Sequence, residues 1–130
     1  MRKNKKFTTE KIMEVVNKYN LQIKDSPQFN LRQFYLPDQE IDYGVPPLFQ
    51  IDPDQAWNKG QMIGIYDAYT IRLDGFQKQK IVYAGSRCIY DMEELEYIVS
   101  YMVMLYTKWM EVKKHFAEGW NLINIKKDFQ

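Results

Sequence analysis

The stretch YIVSYMVMLYTKWM, residues 97–110, decides how this chain folds. Over these positions only Ser100, Thr107 and Lys108 are conventionally polar. The run is shorter than the roughly 20 residues that a bilayer span requires, and Glu93, Glu94, Glu96, Lys108 and Glu111 crowd it. It therefore reads as a buried helix of a globular protein, with no membrane partner. Asp91 with Glu94 three positions later forms an Asp variant of the capping box, and Gly119 is a plausible stop, which predicts a helix over residues 92–117. Lys113, Lys114 and His115 suit the negative end of its dipole.

Turned at 100° per residue, Leu95, Ile98, Met102, Leu105, Tyr106, Trp109, Val112 and Phe116 fall in one stripe, extended on one side by Met92, Val99, Val103 and Met110. The other flank carries Tyr97, Tyr101 and Met104, with Lys108 further along. Glu93, Glu96, Ser100, Thr107, Glu111 and Lys114 leave only a narrow polar strip. About two-thirds of the circumference wants cover, more than one small sheet supplies. The flank of Tyr97, Tyr101, Met104 and Lys108 packs either on the chain's own segments or on a second copy.

Upstream, Thr8 is a suitable N-cap and Phe7 with Ile12 a hydrophobic staple, so a helix is expected over residues 9–20 with Ile12, Val15, Val16 and Tyr19 on its apolar face. All five prolines fall within residues 25–60, together with Phe29, Phe34, Tyr35, Tyr43, Phe49 and Trp57. That combination predicts an irregular, aromatic arm with short extended pieces at 33–36 and 48–51, wrapped over the core or reaching a partner through Tyr43, Phe49 and Trp57. Residues 61–73 alternate as a strand, Asp74-Gly75 signals a turn, 80–84 is the returning strand, and 87–90 a third short one. The tail, 121–130, reads as a short terminal strand. The expected architecture is α+β in a single domain of 130 residues: a basic flexible terminus (1–7), an N-terminal helix, the arm, a small antiparallel sheet of about three strands, and one long helix packed on it.

Composition narrows the function classes. Eighteen basic residues against 17 acidic ones give no global field for nucleic acid. Arg2, Lys3, Lys5 and Lys6 are the local exception, as a phosphate-contacting arm or a solvated terminus. Cys88 is the single cysteine and His115 the single histidine, which removes intramolecular disulfides and His- or Cys-rich zinc sites. A lysine-rich start fits a cytoplasmic protein better than a secreted one.

Asp67 falls on the alternating apolar face with Ile63, Ile65, Tyr69 and Ile71, where a charge is costly unless paired. A β-bulge turning it to solvent, an ion pair with Arg87 or a bond to a tyrosine hydroxyl, and a functional carboxylate are the readings open to it. Asp67, Asp74 and Lys80 sketch a metal-dependent hydrolase, but glutamines stand where its acidic-x-Lys pair needs an acid. No catalytic residue, cofactor or metal is assigned. Ten tyrosines, seven methionines and three tryptophans favour a small non-catalytic protein-binding or regulatory module, dimeric with its own kind. Nucleic-acid binding through the basic terminus and exposed tyrosines stands second, and the hydrolase third.

Overall fold

The computed structural model describes residues 7–26, 28–41, 45–54, 62–73 and 79–128, with side chains outside 71–81 and 115–128. Along the chain come α1 (Thr9–Lys18), β1 (Gln22–Ser26), β2 (Leu31–Tyr35), β3 (Phe49–Ile51), β4 (Ile63–Leu73), β5 (Gln79–Ile89) and α2 (Met92–Asp128). The class is α+β, with a short and a long helix against two small antiparallel sheets, β1-β2-β3 and β4-β5.

Local chemistry sets the ends of α1. The Thr8 hydroxyl accepts from the Lys11 amide at 3.0 Å, satisfying one of the helix's unpaired first-turn donors. Phe7 and Ile12 are both buried in the same core cluster, so Phe7 is an anchor and no part of a flexible terminus. The helix ends two residues short of the expected Asn20. Asn20 takes a left-handed φ of 56°, its amide donates to the Asn17 carbonyl, and the Leu21 amide donates to Val16 at 3.0 Å. This is a Schellman stop with asparagine in the usual glycine place.

Among the described residues of 25–60 lie the last two residues of β1 and all of β2 and β3, the latter two overlapping the extended pieces expected at 33–36 and 48–51. The prolines do not contradict strands because they punctuate them: Pro27 and Pro37 fall just after β1 and near the end of β2, Pro46 and Pro47 just before β3, Pro53 just after it. In register, Phe34 lies opposite Phe49, their rings 4.7 Å apart at 34°. A backbone bond from the Tyr66 amide to the Leu48 carbonyl, 3.2 Å, links the two sheets.

The expected strands at 80–84 and 87–90 are one element, β5, which runs through Gly85-Ser86 without a break. It pairs with β4 from Ile63↔Ile89 to Leu73↔Gln79. The Asp74-Gly75 turn lies outside the described residues.

Helix α2 opens as expected, the Glu94 amide donating to Asp91 Oδ1 at 2.9 Å, while Glu94 Oε2 accepts from the Tyr90 amide. It does not stop at Gly119, nor does the tail form a strand. The helix continues to Asp128, 37 residues and about 55 Å of axis. One interior glycine costs only about 1 kcal/mol against alanine, too little to end a helix when residues able to continue it follow. Leu95, Ile98, Val99, Met102 and Tyr106 join the core formed by Ile12, Val16, Phe34, Leu36, Leu48, Phe49, Ile63, Ile65 and Ile89. Among the described residues no helix is long and apolar enough to cross a membrane.

Candidate functional site

Helix α2 has two apolar faces. The inner one is fully used: Leu95, Val99 and Met102 are 0% exposed. Tyr97, Tyr101 and Met104 are 68%, 42% and 43% exposed. At 100° per residue these three and Lys108 lie within a stripe about 60° wide, roughly opposite the buried one. Their spacing of four, three and four residues is the seam spacing of helices that pack on helices. Ser100 and Thr107 border the stripe. The Ser100 hydroxyl is satisfied by donating to the Tyr97 carbonyl at 2.8 Å, which leaves a small, low shoulder there.

On the other border stands Tyr69 of β4. Its hydroxyl donates to the Leu105 carbonyl at 2.8 Å, tying the hairpin to the helix. Burial, then the neighbouring Tyr101 hydroxyl, push its pKa above the usual tyrosine range. Past Trp109, which still packs against the core, α2 is exposed from Met110 to Lys114.

The stripe runs into an open groove of about 410 Å³ at the start of α2, lined by Arg87, Asp91, Glu93, Glu94, Tyr97 and Ile98. A second groove, about 300 Å³, separates β3 from β4 along Pro46, Pro47, Gln50, Gly64, Tyr66 and Ser86.

Of the other expected surface residues, Phe49 is a correction. It is 2% exposed and packed at a tilt against Phe34, because β3 pairs with β2 and turns this ring inward. Tyr43, Trp57, Arg2, Lys3, Lys5 and Lys6 lie outside the described residues, as does the His115 side chain. Cys88 is an exposed thiol on β5. At Asp67 two of the open readings meet. The β4–β5 register slips at Ala68↔Gly85 and recovers at Tyr69↔Tyr83, and Asp67 Oδ2 accepts from Arg87 Nε at 3.1 Å. A structural ion pair at a bulge accounts for this carboxylate.

A polar knot behind the helix has no signature in the sequence beyond Pro37-Asp38. Leu36 to Gln39 form a tight turn closed by the Gln39 amide on the Leu36 carbonyl, with Asp38 at a left-handed φ of 60°. The buried Gln39 Oε1 accepts from the Leu36 amide and from the Tyr83 hydroxyl at 2.9 Å. Gln22 Nε2 donates to the Leu36 and Gln39 carbonyls, and the Tyr106 hydroxyl to the Asp38 carbonyl. Burial raises the Tyr83 pKa well beyond the ordinary value and that of Tyr106 above it, the latter also through Asp38 and Glu40. These phenols stay neutral and act as fixed hydrogen-bond donors. The knot holds the turn against the middle of β5 and of α2, and so fixes how the helix lies on the sheets.

Among the described residues no three His, Cys, Asp or Glu side chains are grouped so as to hold a metal ion. Comparison with protein-family models, curated proteins and solved structures finds no match. The reading of function therefore rests on the chain's own surface.

Proposed function

We propose that this protein is a small non-catalytic binding or regulatory module that works inside the cell by docking the outer face of α2 on a protein partner. The observation that carries the reading is the exposure of Tyr97, Tyr101 and Met104 in one seam, opposite a helix face that is already fully buried. Tyrosine and methionine are enriched in the cores of protein interfaces, where they combine large contact area with adaptable packing. An accessible thiol at Cys88 is compatible with a reducing compartment, where it stays unoxidised.

A photo-crosslinking residue placed at Tyr97 or Tyr101 in the native cell tests this. Discrete protein adducts are expected from both positions, and none from Lys24, an exposed control on β1. Adducts sensitive to nuclease, or none above the Lys24 background, would contradict it.

A further inference from the structure

From the order of charges along α2 we infer that the occupant of its outer face is a second copy of this chain, with the two helices antiparallel about a two-fold axis between Tyr101 and Met104. The inference rests on the binding role proposed for that face and names its partner.

Exposed charge is segregated along the helix. Glu93 and Glu94 lie at its start, and Lys108, Lys113 and Lys114 some four turns later, with Glu111 among them. A parallel, in-register pair would set Glu94 on Glu94, Lys108 on Lys108 and Glu111 on Glu111, three like-charge layers in one short seam. The antiparallel pair parts the lysines, setting Lys108 on Tyr97, and leaves Glu94 against Glu111 as its like-charge contact. In a two-fold contact residue i meets j and j meets i, so every pairing occurs twice.

About the stated axis Tyr101 of one copy faces Met104 of the other, a sulfur–aromatic contact. Tyr97 faces Lys108, whose ammonium then lies at a ring face. Along the border of the seam Ser100 meets Thr107, and Glu93 meets Lys114. The small pair sits near the axis, where the helices come closest, and the opposite charges sit at the ends. Glu111 falls opposite Glu94 at the outermost layer, flanked on its own helix by Lys108 and Lys114, which offset the like charge.

Disulfide trapping in a Cys88→Ser background reads the orientation. Positions 97 and 108 are eleven residues apart, about 16 Å along the axis. In the antiparallel pair two copies of residue 97 are therefore far apart, whereas 97 and 108 of different copies are neighbours. A mixture of Tyr97→Cys and Lys108→Cys chains is expected to form the mixed disulfide under mild oxidation, and Tyr97→Cys alone to form none. Crosslinking of Tyr97→Cys alone shows a parallel pair and overturns the proposal. The Cys88→Ser chain without further substitution is also weighed by light scattering at about 100 μM, above the micromolar dissociation expected of a small interface. A monomer mass there also overturns it. Protein adducts from the photo-crosslinker would then still show the face binding another protein, which separates this failure from failure of the binding role.

Discussion

Asp67 and Gly85 face each other where the β4–β5 ladder slips, and each explains the other. A Cβ on Gly85 would stand 2.9 Å from Asp67 Oδ1, closer than such contacts occur, while Oδ2 is held by Arg87. Gly85→Ala is expected to destabilise the fold by about 1 kcal/mol through this overlap. The loss should largely vanish when Asp67→Ala is added, as urea unfolding of the four members of the cycle would show. Additive losses would mean that the glycine serves its strand for another reason. Tyr83 makes a second prediction. Burial raises its folded pKa, so the protein holds that proton more tightly folded than unfolded. The stabilisation is complete below the ordinary value of 10.0 and is lost as the pH rises from there through the folded value. Stability should fall on the alkaline side of 10, and less steeply in Tyr83→Phe, which itself costs about 1 kcal/mol at neutral pH because Gln39 Oε1 keeps only the Leu36 amide. Identical alkaline slopes would contradict this.

Within the elements, α2 offers a contrast two residues apart. Met102 is fully buried and Met104 faces out. Met102→Ala is expected to cost about 2–5 kcal/mol in chemical unfolding, and Met104→Ala about 0.5 kcal/mol or less when measured dilute, where self-association is absent. Helix α1 docks on α2 partly through Lys18 Nζ and Glu96 Oε1 at 2.6 Å, with the Tyr19 hydroxyl on the same oxygen. The Lys18 hydrogen bond holds Glu96 below the ordinary value of 4.5, so the contribution is present above 4.5 and fades as the pH falls through the lower folded value. Both groups are solvent-screened, which makes the effect small. Glu96→Gln should flatten the acid limb of the stability curve, lowering stability slightly near neutrality and leaving it unchanged at pH values below the folded pKa. The helices were legible in the sequence because caps and a 3.6-residue period are local signals: Thr8, Asp91 and the buried row from Leu95 to Tyr106 all act as expected. β1 was not, since QIKDS shows no apolar alternation and its middle three residues are exposed in the structure. Gly119 misled because a glycine ends a helix only where the backbone turns left-handed, which the residue type permits but does not compel. At the candidate site, periodicity placed Tyr97, Tyr101 and Met104 together, but Phe49 required knowing that β2 and β3 pair.

At the scale of the whole molecule, the knot of Gln39, Tyr83, Gln22 and Tyr106 and the Tyr69–Leu105 bond lock α2 onto the sheets along its inner face. That leaves the outer face as a rigid platform, which suits docking because little ordering remains to be done on binding. Tyr101, next to the proposed axis, is the natural anchor of such a contact, and a charge placed there would be buried against Met104 of the other copy without a partner. The central claim is that this face binds a second copy. Light scattering across a dilution series tests it most directly, on the wild type and Tyr101→Glu, with folding of both checked by circular dichroism. The mass is expected to move from twice 15.7 kDa toward 15.7 kDa on dilution of the wild type, with the transition displaced by roughly thirtyfold or more to higher concentration in the variant. A wild type that is monomeric throughout, or a dimer indifferent to Tyr101→Glu, would contradict it.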